Sequence, residues 1–335
     1  MMSVTRISKI AIAGAIAIGA LAGATTATAT ELRLAYFMGP KHPMNKFVFT
    51  PFAKKLAEVS GGKLTVKQFA GGALNSAPPK QYSILLKGVA DIAFALPGYT
   101  AQLFPITNVI TVPGLSTSAL DGTKKMLNAR KLIEKEYKAK VLAVWANQPP
   151  VLLTKDKPVR TLEDMKGLKV RVTSRQNVPF IEALGASAVS QPVTVINQNL
   201  QNGTIDAILI GASAIRSFKL YEPAKYITTG IPGSGSAFVL LMNNKVYNSM
   251  SAQEKKWVDA ASDNSLSLSG GSGFDKAAAG GMKISKDKGL TFIDLSSAER
   301  AKFTKAMAPA MEKFGAKKIS GDMTGWDVIK AMKGQ

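Results

Sequence analysis

"LRLAYF", Leu32–Phe37, is an apolar run of strand length, and the segments after it decide the fold. "NKFVFTPFAKKLAEVS" (Asn45–Ser60) repeats apolar residues at helical spacing and stops at Gly61-Gly62. "KLTVKQF" (Lys63–Phe69) reads as a second strand. "PPKQYSILLKGV" (Pro78–Val89) is a helix opened by prolines suited to a first turn, and "DIAFAL" (Asp91–Leu96) is a third strand. This strand–helix–strand–helix–strand order predicts an open, mainly parallel α/β sheet.

The rhythm resumes in "KVLAVWAN", "GLKVRV", "NVPFIEALGA" and "SAVSQPV". It continues through the helix "VINQNLQNGT" and the apolar strands "IDAILI" and "AFVLLMNN". A chain of 335 residues is long enough for two domains. The stretch Ser249–Gly289 differs. Ser251 with Glu254 forms a capping box, and a long helical pattern follows. Gly270, Gly271 and Gly273 weaken its middle, each by roughly 1 kcal/mol against alanine, so the pattern either breaks there or packs closely. "KGLTFIDLS" reads as a returning strand. A second capping box, Ser296 to Glu299, opens a further helix, and "GDMTGWDVIKAMKG" closes the chain.

The first 29 residues carry Arg6 and Lys9, then the short apolar run "IAIAGAIAIGALAGA", then small residues at Ala27-Thr28-Ala29. That is the pattern of a cleaved export signal, and it places the mature protein outside the cytoplasm. No later stretch is apolar for long enough to span a bilayer, and the lack of cysteine excludes a lipid anchor on that residue, so no membrane attachment is expected. Lysine and arginine total 43 against 22 acids, a formal charge of +21 that falls to +19 without Arg6 and Lys9. The lysines are scattered over amphipathic helices and form no arginine-rich tract or aromatic–basic ladder. The excess therefore reads as solvated faces and a field that draws in anions, not as a nucleic-acid surface.

With no cysteine and a single histidine, a cysteine nucleophile and an ordinary zinc site are excluded, and no metal or cofactor is expected. His42, in the Pro-flanked "GPKHPMNK", reads as a surface histidine. No G-x-S-x-G elbow accompanies it, and "GSGSAF" (Gly233–Phe238) lacks dinucleotide or phosphate-loop spacing. These exclusions point to a binder. The competing possibility is an exported enzyme acting on a small carboxylic acid, with Asp91 or Asp206 as acid and base. Both aspartates flank strands, where capping is the commoner role.

In "MKGLKVRV" (Met165–Val172), Leu168, Val170 and Val172 alternate with Lys169 and Arg171. Ligands of open α/β sheets bind beyond the carboxyl ends of strands, and between two such domains that means the crevice. Arg171 sits near such an end. It is either a solvated strand residue or a planar fork of donors turned toward a carboxylate.

Nearly the whole mature chain resembles the solute-binding subunits of TRAP transporters, the dicarboxylate-binding periplasmic family. The matching fragments are "FAKKLAEVSGGKLTVKQFAGGAL", "LLKGVADIAF", "KDKPVRTLEDMKGLKVRV", "EALGASAVSQPVTVINQNLQNGTIDA" and "TGWDVIK". The resemblance implies a two-domain periplasmic binding protein fold of class α/β, with a long helix crossing both domains, fitted by the stretch opened at Ser251. Domain I would comprise residues 30–150 and 237–277. Domain II would comprise 151–236 and 278–335, with the ligand cleft between them. It also implies capture of an organic acid in the periplasm, delivery to integral membrane TRAP permease subunits, and no catalysis.

Arg171 occupies the family's carboxylate-binding position. Two departures follow. Pro150 or Val151 stands where many relatives carry a second arginine, and Ile208, Leu209 and Ile210 replace polar residues. The remaining candidates are Tyr36, Phe37, Met38, Pro97, Tyr99, Trp145, Asn147, Ile210, Ser213 and Phe238, a set that favours a monocarboxylate with an aromatic or aliphatic body. Arg175 and Asn177 are further polar residues near the same strand end.

Overall fold

The computed structural model describes residues 29–335. The export-signal reading falls on residues outside these, apart from Ala29. Eleven strands build two sheets: β1 (Thr30–Ala35), β2 (Leu64–Phe69), β3 (Ile92–Ala95), β4 (Ala139–Ala146), β5 (Val151–Thr154), β6 (Lys169–Val172), β7 (Ser187–Ser190), β8 (Ala207–Ile210), β9 (Tyr226–Thr229), β10 (Ala237–Asn243) and β11 (Thr291–Asp294). The first lobe has order β2-β1-β3-β10-β4 and the second β11-β9-β5-β8-β6-β7.

Each sheet is mainly parallel, as expected, with a single strand reversed. β10 runs antiparallel to both β3 and β4, and β5 antiparallel to both β8 and β9. The reason lies in the connections. Each antiparallel strand enters its sheet straight from the other lobe, through Asn147–Pro150 or Gly230–Ser236, without the crossover helix that a parallel neighbour needs. As a result the carboxyl ends of β3, β4, β6 and β8 and the amino ends of β5 and β10 all border the junction between lobes. Every residue of β10 is buried, as its central place in a covered sheet requires.

The Ser251 capping box is present, but it opens a separate helix, Ala252–Ala261. The long helix begins afresh after Asp263, whose side chain accepts from Ser265 N–H, and runs unbroken over Asn264–Asp287. Its glycines are close-packing positions. A Cβ at Gly270 would overlap the Trp145 ring, one at Gly271 the Thr123 side chain, and one at Gly273 the Phe47 side chain, all in the first lobe. One at Gly281 would overlap the Ala212 carbonyl in the second. Asp275 on this helix accepts from Ala119 N–H (2.8 Å) and Leu120 N–H (3.0 Å), which satisfies the free donors at the start of helix Ala119–Asn128.

The Ser296–Glu299 box is one-sided. Ser296 accepts from Glu299 N–H, while the Glu299 carboxylate reaches Leu162 N–H instead (3.1 Å). The final helix, Gly325–Lys333, returns to the first lobe, where Asn128 Nδ2 donates to Met332 O (3.0 Å). No helix among the described residues is long and apolar enough to cross a membrane.

Candidate functional site

The first-lobe wall of the junction is aromatic because the strand ends there carry phenylalanines, Phe94 as the penultimate residue of β3 and Phe238 as the second of β10. Phe94 of β3 lies 5.8 Å from Phe238 of β10 with rings 19° from parallel, and Phe238 lies 4.7 Å from Phe274 of the long helix. Phe37, just beyond β1, packs on Phe94 (5.8 Å) and Tyr99 (6.5 Å). Ring pairs of this geometry hold one another in place beyond their simple burial. They line a cavity of about 50 Å3 together with Met38 and Leu96, and with Thr173, Val193, Ile210 and Ala214 from the second lobe. That is room for several water-sized groups.

Arg171 enters this cavity from β6. The alternation in its strand is correct in period: Lys169 is exposed, while Arg171, two residues on, is only 1 % exposed. Its Nε and Nη2 donate to the Gln191 carbonyl oxygen at 2.9 and 2.7 Å. Nη1 has no partner among the described residues, and no carboxylate pairs with the guanidinium. Burial lowers its pKa, and the neighbouring Tyr99 phenol opposes that shift. Arginine nonetheless stays protonated in proteins, so the cavity holds a desolvated cation with no counter-charge. Among the described residues no Asp, Glu or Lys lines the cavity, and Arg171 is the charged side chain in its lining.

Tyr99 belongs to the first lobe, yet its hydroxyl accepts from Val193 N–H of the second at 3.0 Å. Its own proton is thereby free to donate. Burial raises its pKa, with Arg171 acting against the rise, and the phenol is neutral at pH 7. Asn147, on the β4–β5 connection, is tied to the return connection: its N–H donates to Ser236 O (3.1 Å), and its Oδ1 accepts from Ser236 N–H. Gln148, with its amide oxygen turned inward, accepts from Ala212 and Ser213 N–H, 2.7 Å each, and so fixes the segment that carries Ser213.

Of the residues expected from sequence, Phe37, Met38, Tyr99, Asn147, Arg171, Ile210, Ser213 and Phe238 meet at this cavity. Tyr36, Pro97 and Trp145 stand outside its wall. The Tyr36 hydroxyl turns away toward Asn45 Oδ1 (2.8 Å) and Gln68 Oε1 (3.0 Å). Pro97 opens the 3-10 turn Pro97–Leu103, and its neighbours Leu96 and Tyr99 reach the cavity in its place. Trp145 is wholly buried behind Phe238, 6.1 Å away and nearly parallel to it, so it supports the wall from the rear.

Among the apolar substitutions, only Ile210 faces the cavity. Ile208 is core, and Leu209 and Pro150 border a smaller neighbouring space. Arg175 lies in an outer groove on the far side of Tyr99, and Asn177 points to Thr111 O (3.4 Å).

His42 is buried, against the expectation of a surface histidine. Its ring sits edge-on to Phe218 (6.2 Å) and Phe274 (6.3 Å) and lines the cavity. The signal for Phe274 was present in "GGSGFDK", where clustered glycines mark close helix packing. His42 and Phe218 carried no such signal.

The two aspartates of the enzyme alternative are structural. Asp91 clamps Arg33 (2.9 Å) and its N–H (2.8 Å), and Asp206 accepts from Lys169 N–H (2.8 Å). Among the described residues, no three His, Asp or Glu side chains come together as metal ligands.

The two lobes thus meet at a cavity that one buried guanidinium enters. Residues 34–318 match the family described as bacterial extracellular solute-binding protein, family 7, and the chain belongs to that family, the solute-binding subunits of TRAP transporters. Among curated relatives, the Comamonas testosteroni protein TsaT, described as an outer membrane transporter protein, is 28% identical over 73% of this chain and 74% of its own. A marine metagenome TRAP solute binding protein specific for aromatic acid ligands, solved with 3-hydroxybenzoate, superposes with a TM-score of 0.84 at 28% identity over 91% of this chain and 97% of its own. A TRAP solute binding protein from Rhodoferax ferrireducens, solved with copurified benzoate, gives 0.82 at 26% identity over 91% and 96%.

Proposed function

We propose that this protein captures an aromatic monocarboxylate in the periplasm and delivers it to integral membrane TRAP permease subunits, making and breaking no covalent bonds. The carrying observation is Arg171: a buried guanidinium, with Nη1 unpartnered among the described residues, that lines the same cavity as Phe37, Phe94, Phe238 and Phe274. Burying a charge without a partner is costly, so a bound carboxylate would recover several kcal/mol, as a ligand rather than as part of the chain. Tyr99, with its hydroxyl proton free, would donate to the same carboxylate. A single cation suits a single carboxylate. A dianion would leave its second charge among Phe37, Phe238 and Phe274, and a polyhydroxylated acid would leave hydroxyls unpaired there at roughly 1–3 kcal/mol each.

Aromatic acids in the two structural neighbours support this choice of body. In this reading domain I comprises residues 30–150 and 237–277, and domain II 151–236 and 278–324, with the final helix, Gly325–Lys333, packed back on domain I. The lobes hinge at the two interlobe connections and open to admit the ligand.

Thermal-shift and calorimetric titration with benzoate, succinate and a sugar acid test the proposal. Benzoate raises the melting temperature, and Arg171→Ala abolishes the shift while leaving a folded protein. A stronger shift with succinate or the sugar acid, or an unchanged benzoate shift in the variant, would overturn it.

A further inference from the structure

His42 is the second polar group whose placement in the cavity asks for a partner. Met44 N–H donates to its Nδ1 at 3.3 Å. Burial lowers its pKa to about 4, so the ring is neutral at pH 7. A neutral imidazole that accepts at Nδ1 carries its proton on Nε2. That Nε2–H has no acceptor among the described residues, and the ring is held edge-on between Phe218 and Phe274 in the cavity wall.

Arg171 comes from β6 of the second lobe, while His42 comes from the loop after β1 of the first, so the two donors enter the cavity from different walls. Between them the lining is apolar apart from the Tyr99 phenol and the short side chains of Asn147, Thr173, Ser213 and Ser236. The Asn147 Oδ1 among these already accepts from the Ser236 backbone N–H. A ligand that fills the cavity would take this donor out of reach of water, and a buried donor left unpaired costs on the order of 1–3 kcal/mol. An oxygen on the ligand would relieve that cost.

We propose that His42 Nε2–H donates a hydrogen bond to an oxygen substituent on the ring of an aromatic monocarboxylate held by Arg171, making His42 the residue that selects hydroxylated or alkoxylated acids over the unsubstituted acid. The inference rests on the aromatic-monocarboxylate reading and specifies it further. A site built to bond a polar group discriminates far more sharply than an apolar pocket does, because the wrong ligand leaves the protein donor unpaired.

The experiment is calorimetric titration of the full mature chain with benzoate, 3- and 4-hydroxybenzoate and the matching methoxybenzoates, for the wild type, His42→Phe and His42→Gln. The wild type should bind at least one oxygenated acid about tenfold or more tightly than benzoate. His42→Phe should bind benzoate within about threefold of the wild type and lose that preference, and His42→Gln, which keeps an N–H donor, should restore part of it. Wild-type binding of benzoate with no preference, or a preference that survives in His42→Phe, would overturn this inference alone. Failure of every aromatic acid to bind the wild type would overturn the underlying reading, and this inference with it. Circular dichroism and melting of both variants establish that they fold.

Discussion

The Arg171 guanidinium is anchored by the Gln191 carbonyl oxygen, which takes both Nε (2.9 Å) and Nη2 (2.7 Å) and leaves Nη1 without a partner among the described residues. Gln191 follows directly on β7, the strand paired with Arg171's own. The fork is therefore oriented by local backbone before any ligand arrives, which lowers the ordering cost of binding.

Without a ligand, that arrangement holds an uncompensated charge. Arg171→Met removes it while keeping much of the volume, so the ligand-free variant should melt no lower than the wild type even as organic-acid stabilisation vanishes. Arg171→Lys keeps a charge but loses the planar fork and its anchor on Gln191, and should weaken binding by about tenfold or more. Scanning calorimetry with and without benzoate checks both. A ligand-free Arg171→Met protein melting several degrees below the wild type would point to a mainly structural arginine.

The Tyr99 hydroxyl is a latch between lobes through Val193 N–H (3.0 Å). Tyr99→Phe leaves that N–H unpaired in the closed form and removes a donor from the cavity. Binding should weaken by roughly tenfold, expressed chiefly as faster release. Stopped-flow fluorescence measures this directly, and an unchanged release rate would remove Tyr99 from the closing mechanism.

Adjacent glycines on the long helix make an internal control. A Cβ at Gly280 meets open space, whereas one at Gly281 overlaps the Ala212 backbone carbonyl. Gly280→Ala should stabilise the protein by roughly 0.5–1 kcal/mol through helix propensity alone. Gly281→Ala should destabilise it by roughly 1–3 kcal/mol, because the contacted atom is backbone and must move. Urea denaturation of the pair decides the matter. Equal and favourable effects would show that the helix does not press on the second lobe at this point.

His42 also sets a pH dependence. Burial depresses its pKa to about 4, against about 6.5 in the unfolded chain, and no charged neighbour contributes to the shift. Between these values the unfolded state binds more protons. The contribution is complete above pH 6.5, declines as pH falls, and is gone below about 4, a span of about 3 kcal/mol. His42→Phe should flatten the stability profile across that window. A wild-type slope retained in the variant would assign the acid sensitivity to other groups.

Sequence patterning exposed most strands because their apolar runs have the right length and sit between glycine stops, as at "DIAFAL" and "IDAILI". It did not expose the antiparallel entry of β5 and β10. An apolar run buried on both faces reads the same in either direction, and only the length of the connection distinguishes them. Nor did it divide the Ser251 helix from the long one, because Ser262-Asp263 leaves helical periodicity intact while Asp263 supplies a fresh cap. The glycines at Gly270, Gly271 and Gly273 allowed two opposite readings in one dimension. Contact with Trp145, Thr123 and Phe47 leaves one. Trp145 and Phe238 were equal candidates by type and position, and the stacking order puts Phe238 in front and Trp145 behind.

What the chain determined by itself was its class: α/β segments in a two-lobe order, Arg171 at a strand's carboxyl end, and family motifs spaced along nearly the whole mature length. These are properties of residue type and local period, which a linear string carries. Tertiary structure alone decided which side chains share the cavity, that Arg171 has no acidic partner among the described residues, and that the lone histidine lies in the cavity wall. Burial and pairing are set by neighbours distant in sequence, and no local pattern records who those neighbours are.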